Sequence, residues 1–253
     1  MIVFQDVCKH FGKKTPFKDG RKQVLHNVNL TLQKGEIICL LGPSGCGKST
    51  MVNLVIGNLV PSAGTVTVMG EQAPYKNIRA QVGYMPQENA LYEDITAEEN
   101  MRFFGAMNGV SKALLDARIP ALLTLVRLEK EGKQLVSTFS GGMKRRLSLA
   151  VTLLHDPKLI VLDEPTVGLD PDHRRHIWAH FERLAAEGKT LLITTHVMDE
   201  AAHCSRIAML YNGTLIATGS PASILEKTHT EQLEDAFLAL ENLENTTEVN
   251  HHA

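Results

Sequence analysis

A glycine-rich segment near the N-terminal end of the chain has the composition of a phosphate-binding loop. It fits the pattern G-x-x-x-x-G-K-[ST] and consists of Gly42, Pro43, Ser44, Gly45, Cys46, Gly47, Lys48, Ser49 and Thr50. Glycines allow backbone N–H groups to converge on phosphate oxygens, and a helix beginning at Lys48 would turn its positive end towards the same anion. In this pattern the lysine reaches the β- and γ-phosphates and the next hydroxyl binds Mg²⁺. The segment therefore predicts a nucleotide site with Mg²⁺ at Ser49.

Two carboxylates stand at the end of a second apolar run. Residues 159–162 are all apolar, and Asp163 and Glu164 follow directly. Ligand chemistry in α/β sheets lies at the carboxyl ends of strands. Asp163 can hold Mg²⁺ through water, and Glu164 can orient and partly deprotonate an attacking water. Two acids at an exposed strand end are common without function, but beside a phosphate loop they predict nucleotide hydrolysis.

The elements that must position these residues alternate between strands and helices. Residues 37–41 are apolar on both faces, which is typical of a buried parallel strand, and residues 28–32 alternate as a half-buried strand does. Residues 88–155 have helical patterns instead, with a capping box at Thr96. We therefore expect an α/β fold: a P-loop NTPase core with a mostly parallel sheet, N-terminal antiparallel β elements and an inserted helical subdomain.

One domain of this kind accounts for all 253 residues. Its expected parts are a nucleotide-binding core (1–87 and 156–225), the inserted helical subdomain (88–155), and a C-terminal helix with a polar tail (226–253). Within the helical part, Pro120 predicts a break or a kink. The tail from Asn245 is polar, and we expect it to be disordered.

Composition limits the remaining possibilities. The formal net charge is −2, so no global field favours nucleic acid, and the four cysteines form no C-x-x-C pair. Reduced thiols in a cytosolic protein are the expectation. No stretch approaches the roughly 18–20 apolar residues that span a bilayer, and the N-terminus is no signal peptide. If the protein works at a membrane, another chain must hold it there.

Four further segments follow the order of known motifs. They are Tyr84–Gln87, Ser140–Met143, Pro165–Asp170, and His196 after Ile193–Thr195. Each is weak alone, but around a phosphate loop they make the chain resemble the ABC ATPases over nearly its whole length. In that resemblance they correspond to the Q-loop, the signature motif LSGGQ, the D-loop and the H-loop.

The resemblance implies a mechanism. Two subunits, either two copies or a paralogous pair, pack head to tail, and ATP binds between residues 42–50 of one and Ser140, Gly141 and Gly142 of the other. A helix start at Ser140 would offer backbone donors to the γ-phosphate. The implied membrane partner is a polytopic permease at the cytoplasmic face of the cell membrane, and no nucleic-acid partner is expected.

The resemblance also implies the remaining roles. Glu164 would position the water, His196 would contact the γ-phosphate, and Asp170 would link the two sites across the dimer. Gln87 would sense Mg²⁺ and the γ-phosphate, which makes it a metal ligand beside Ser49 and Asp163. The ligands of the protein would thus be ATP and Mg²⁺.

An aromatic side chain ahead of the phosphate loop usually stacks on adenine. Phe11 resembles that position best, and Phe17 is the rival because it lies nearer to the usual distance. Packing in the core is the other possibility for either ring.

The signature motif departs from the family pattern, because Met143 replaces a glutamine and Phe139 a leucine. The segment Ser-Gly-Gly-Met-Lys-Arg-Arg looks like that of drug- and lipid-exporter ATPases and favours export. Residues 88–95 would face the permease, with Leu91 and Tyr92 as exposed contacts, unless these two pack inside the helical part.

Other functions within this class fit less well. ATPases of chromosome maintenance carry a very long coiled coil between the phosphate loop and the signature motif, but only about ninety residues separate Lys48 from Ser140 here. Ribosome-associated factors usually join two such cores, and this chain has one. A soluble ABC ATPase acting on ribosomes or other cytoplasmic assemblies stays open as the alternative.

Overall fold

The structure of the protein, a computed structural model, describes residues 1–12, 14–15 and 18–251; the side chains of residues 14–15, 18–19 and 245–251 are not part of that description. The strands are β1 Ile2–Phe11, β2 Lys14–Thr15, β3 Lys18–Asp19, β4 Lys22–Leu32, β5 Ile37–Leu41, β6 Ala63–Val68, β7 Glu71–Gln72, β8 Val82–Met85, β9 Leu159–Asp163, β10 Thr190–Thr195, β11 Arg206–Tyr211 and β12 Thr214–Gly219. The helices are α1 Lys48–Val55, α2 Ala97–Met107, α3 Lys112–Leu125, α4 Gly141–Leu153, α5 Pro171–Ala186, α6 Met198–Ala201, α7 Pro221–Thr228 and α8 Leu233–His251.

The chain forms two compact units, and each is described by itself. The first unit comprises residues 1–76 together with the chain from Leu192 onwards, and the second comprises residues 77–191. The phosphate loop and His196 belong to the first unit. The Q-loop, the signature motif and both strand-end carboxylates belong to the second.

The first unit contains an antiparallel sheet with the strand order β4-β1-β6-β7. The predicted alternation in β4 is confirmed, because Val28, Leu30 and Leu32 are buried while the residues between them are exposed. Strand β5 is buried along its whole length and pairs in parallel with β11. This burial explains why β5 is apolar on both faces, and its carboxyl end leads directly into the phosphate loop.

The end of the first unit follows its turn and cap signals. Strands β11 and β12 form a hairpin at Asn212-Gly213, where both residues have positive φ, as a two-residue turn requires. Helix α7 begins at Pro221 after the cap Ser220. In α8 the apolar side chains of Leu233 and Phe237 are buried, while Leu243 is exposed.

The second unit combines a parallel strand pair with helices. Strand β8 pairs with β9, and Met85 lies opposite Leu162, so the carboxyl ends of the two strands coincide. The Thr96 capping box is present at the start of α2. Polar caps also begin the other helices of this unit, with Ser111 before α3, Ser140 before α4 and Asp170 before α5.

Two expectations about chain breaks are wrong. Helix α3 runs without a break through Pro120, and a kink there stays a prediction. The carbonyl group that this proline leaves unbonded belongs to Asp116, an exposed residue that water can reach. Helix α8 continues to His251 instead of ending in a disordered tail at Asn245. No glycine or proline interrupts that stretch, so nothing in it stops the helical hydrogen bonds.

Candidate active site

The phosphate loop of the first unit connects the end of β5 to the start of α1. Gly47 caps this helix with a φ of 115°, which only glycine adopts readily. A Cβ atom on Gly42 would lie 2.2 Å from the carbonyl oxygen of Leu210, so a side chain has no room there. These two glycines explain the close turn, and α1 carries no acid in its first turn to neutralise its positive end. The loop is therefore built to accept an anion.

Lys48 is held inside the loop by local hydrogen bonds. Its Nζ donates to the carbonyl oxygens of Gly42 at 2.6 Å and Pro43 at 2.9 Å, and the residue is only 8% exposed. Ser49 is exposed at the first turn of α1. The ammonium group is thus fixed within the curve of the loop, where an incoming phosphate can take over from the carbonyl oxygens.

The rest of the loop divides into an exposed rim and a buried base. Pro43, Ser44 and Gly45 are exposed, whereas Cys46 and Thr50 are buried. Burial raises the pKa of the Cys46 thiol, and the nearby Lys48 ammonium opposes that rise only in part. Cys46 therefore supports the loop as a neutral thiol.

Phe11 does not pack in the core. Its ring is 40% exposed at the end of β1, and the Nζ of Lys9 lies 5.3 Å from the ring centroid. One face of the ring thus has a cation above it, and the side chain is accessible for stacking. The rival Phe17 lies outside the described residues.

His196 is exposed directly after β10. The turn behind it is held by Thr195, whose hydroxyl accepts a hydrogen bond from the Val197 N–H at 3.0 Å and donates to the Glu200 carboxylate at 2.9 Å. Thr195 and Glu200 are both buried. The histidine is therefore presented on a fixed turn of the first unit.

The second unit brings Gln87 and Glu164 together. Gln87 follows β8, and its Nε2 donates to Oε2 of Glu164 at 3.3 Å, although 77 residues separate them in sequence. Asp163 is buried at the end of β9, and Glu164 is half-buried beside it. Glu164 has a φ of 52°, an unusual conformation for a residue other than glycine. Such backbone strain is concentrated at functional sites in proteins.

Arg145 is a residue of this site that sequence reasoning missed. Its guanidinium donates to four backbone carbonyl oxygens at the carboxyl ends of β8 and β9. They belong to Pro86, Gln87, Asp163 and Glu164. A cavity of about 480 Å³ lies beside these groups and is lined by Gln87, Gly141, Arg145 and Glu164, among others. The sequence offered little signal for Arg145, because this residue lies one helical turn before Leu149 but on the opposite side of α4 from Leu147.

The signature segment forms the start of α4. The Ser140 hydroxyl caps the helix by accepting the Met143 N–H at 3.3 Å, and the first turn contains no acid. Ser140 and Gly141 are exposed, and a Cβ atom on Gly141 would have no heavy atom within 4 Å. On Gly142 it would lie 3.3 Å from the Gly168 carbonyl oxygen. The helix thus presents its N-terminal N–H groups beside open space.

Asp170 caps α5. Its carboxylate accepts the backbone N–H groups of Asp172 at 3.1 Å and His173 at 3.0 Å, and it lies 2.5 Å from Nδ1 of the His173 ring. These hydrogen bonds, led by the one from the His173 backbone, lower the pKa of Asp170 to about 2. Asp170 is therefore ionised and serves its own helix.

Comparison with known proteins decides the family. A family model described as ABC transporter matches residues 25–167, more than half of the chain. The "Nod factor export ATP-binding protein I" of Rhizobium sp. (strain N33) is 42% identical over 219 residues, which cover 85% of this chain and 71% of that protein. The chain belongs to the ABC transporter family.

Solved structures agree with this assignment. The ATP-binding subunit of an ABC transporter matches with a TM-score of 0.83 and 29% identity, covering 95% of this chain and 99% of that one. An ATP-binding cassette solved as a dimer in a post-hydrolysis state with ADP and Pi matches with a TM-score of 0.79 and 27% identity, covering 87% and 98%. The predicted fold class is confirmed, and so is the prediction of an ABC ATPase that uses ATP and Mg²⁺.

Among the residues that the structure describes, no helix of this ABC ATPase is long and apolar enough to cross a membrane. The two residues that depart from the family's signature motif differ in burial. Phe139 is buried, whereas Met143 is half-buried and keeps its backbone N–H on the Ser140 hydroxyl. The replacement of glutamine by Met143 therefore leaves the cap of α4 intact.

Proposed function

We propose that this ABC ATPase forms a head-to-tail dimer around two ATP molecules, with itself or a paralogue, and drives export through a polytopic membrane permease. The start of α4 carries the proposal. Gly141 is exposed with open space beside it, and the helix N-terminus there has no acid in its first turn. Because no other part of the described chain fills the space beside Gly141, this helix start is open to the phosphate of a nucleotide held by a second subunit.

In this proposal the phosphate loop of the first unit supplies most of the binding. Residues 42–50 surround the phosphates with backbone N–H groups, Lys48 contacts the β- and γ-phosphates, and Phe11 stacks on adenine. The signature residues Ser140, Gly141 and Gly142 of the second subunit close the site.

The expected metal ligands are Ser49, Gln87 and Asp163. They offer a hydroxyl, a carboxamide and a carboxylate. Mg²⁺ prefers oxygen ligands, and in nucleotide sites it is usually bound by one or two protein carboxylates together with phosphate oxygens of the substrate. The donor set therefore fits, and bound Mg²⁺ would neutralise charge on the phosphates.

Hydrolysis is assigned to the carboxylate at the end of β9. Glu164 orients the attacking water and accepts its proton, Gln87 reports the state of the site to the permease, and His196 contacts the γ-phosphate. The hydrogen bond between Gln87 and Glu164 supports this pairing of roles. Asp170 acts across the dimer through the D-loop that its helix cap orders.

The permease is proposed to contact residues 88–95. Tyr92 is 51% exposed and stands on an aromatic base, with its centroid 4.9 Å from that of Phe103 and 5.8 Å from that of Phe104. Leu91 is half-buried, so Tyr92 is the main contact of the pair. A rigid, exposed aromatic of this kind is typical of the centre of an interface.

Location and direction follow from the same proposal. A permease-bound ATPase lies at the cytoplasmic face of the cell membrane, where ATP is available. The relatives named for Nod factor export and the Ser-Gly-Gly-Met-Lys-Arg-Arg segment both favour export. The division into an ATP-binding core (1–87 and 156–225) and a helical subdomain (88–155) is part of the proposal, with the helical part carrying the permease contact.

The test is to trap the ATP-bound dimer and identify its partner. Glu164→Gln removes the base, so the variant purified from native membranes with Mg²⁺ and ATP should retain a polytopic membrane protein. Lys48→Ala is the matched control, because it weakens ATP binding and should form much less of the trapped dimer. Ribosomes or other soluble assemblies in place of a membrane protein would favour the alternative function.

A further inference from the structure

Arg145 joins the two turns that carry the proposed hydrolytic residues. One terminal nitrogen donates to the carbonyl oxygens of Pro86 and Gln87, both at 2.7 Å, and the other donates to those of Asp163 and Glu164, the latter at 2.7 Å. A single guanidinium therefore binds the chain at the carboxyl ends of β8 and β9. The side chains of Gln87 and Glu164, which leave these same turns, contact each other.

Only an arginine fits this arrangement. The residue is 5% exposed, so its charge is removed from water and must be compensated by the carbonyl dipoles and by neighbouring carboxylates. Burial lowers the pKa of Arg145, while Asp163 and Glu164 act to raise it, and a guanidinium stays charged in proteins. Its planar fork offers donors on two sides, whereas a lysine has one point of attachment.

The turn at Glu164 needs outside support. Its φ of 52° is unfavourable for a residue with a side chain and persists only where surrounding contacts enforce it. Within the turn, the Val167 N–H donates to the Glu164 carbonyl oxygen at 3.3 Å, a long hydrogen bond. The charged donor of Arg145 on the Asp163 and Glu164 carbonyl oxygens is stronger, and it acts on both sides of the strained residue.

We propose that Arg145 is a positioning residue for hydrolysis, which holds Gln87 and Glu164 in register by tying the ends of β8 and β9 to α4. The inference rests on the proposed roles of Gln87 and Glu164. Because α4 begins at the signature segment, the same side chain links that segment to the hydrolytic carboxylate. Arg145 does not contact the nucleotide in this assignment, so it acts on turnover and not on binding.

The experiment compares steady-state ATP hydrolysis by the full chain for Arg145→Gln, Arg145→Lys and the control Arg118→Gln. Arg118 also donates to a backbone carbonyl oxygen, that of Leu154, but on a different part of the second unit. We expect Arg145→Gln to lower kcat about 10–100-fold, as the loss of a residue that orients a catalytic group does, with KM for ATP nearly unchanged. Arg145→Lys should recover part of kcat, and Arg118→Gln should match the parent.

A double variant separates positioning from general destabilisation. If Arg145 acts through Gln87, then Arg145→Gln combined with Gln87→Ala lowers kcat by less than the product of the two single effects. The inference is overturned if Arg145→Gln keeps the full kcat, or if the effects of the two substitutions multiply in the double variant. In either case Glu164→Gln should still abolish hydrolysis. If Glu164→Gln itself keeps full activity, the proposed function of the site is what fails.

Discussion

The phosphate loop and the strand-end region are built in opposite ways. The strand-end region consists of Gln87, Arg145, Asp163 and Glu164. In the loop, Lys48 bonds to carbonyl oxygens five and six residues earlier in the chain. In the strand-end region, Arg145 bonds across 18 to 59 residues and Gln87 across 77. When a site is made from one segment, the spacing of residues in the sequence largely determines its geometry. When a site is made from distant segments, its geometry depends on a residue that joins them.

Separating binding from hydrolysis is the strongest test of this contrast. Lys48→Ala should raise the Kd for Mg-ATP about 10–100-fold, because charge-assisted hydrogen bonds contribute about 1.5–3 kcal/mol. Gln87→Ala should leave Kd within a few-fold and lower kcat instead. Calorimetric titration and steady-state hydrolysis measure the two quantities, and the exposed Lys112→Ala serves as the control. Equal loss of binding in both variants would mean that the regions do not divide the work.

The start of α4 gives the next largest effect. Gly141→Ala adds a methyl group that meets no heavy atom of its own chain within 4 Å, and alanine is the better helix former by about 1 kcal/mol. The melting temperature should therefore hold or rise. Hydrolysis should fall about tenfold, since the methyl group stands where a second subunit must bring its nucleotide close. Full activity would contradict the head-to-tail arrangement.

The smallest effect concerns the charge that caps α5. The pKa of Asp170 is lowered to about 2, so its contribution to stability is present above its ordinary pKa of 3.8 and is lost as the pH falls through 2. Asn is an equally good helix cap without the charge. Asp170→Asn should therefore melt at a lower temperature than the parent at pH 7 and at nearly the same temperature at pH 2. Thermal unfolding by circular dichroism across this range measures the difference.

A difference in melting temperature that stays constant at all pH values would contradict the prediction, because it would show that ionisation of Asp170 does not contribute to stability. His173→Ala is the matched variant, because it keeps the backbone donors to Asp170 and removes only the ring. In His173→Ala the melting temperature should therefore depend less on pH than in the parent, but more than in Asp170→Asn.

Local chemistry made much of the fold predictable from sequence. Three expected features depend only on neighbours within a few residues, and each is present. They are the alternation in residues 28–32, the apolar run of β5 and the Thr96 capping box. The break expected at Pro120 and the disordered tail expected from Asn245 are both absent, for a related reason. Helix continuation depends on whether water satisfies a freed carbonyl group and on the absence of helix breakers, and composition alone is a poor guide to either.

By itself, the sequence determined the nucleotide chemistry, because a phosphate loop is a contiguous run whose glycines and lysine already specify the backbone and the charge. It also determined the order of the motifs and hence the family. Only the tertiary structure decided which residue holds the strand ends together. Arg145 lies far from its partners in sequence, and its four acceptors are backbone carbonyl oxygens, which every residue has and no side-chain pattern can mark.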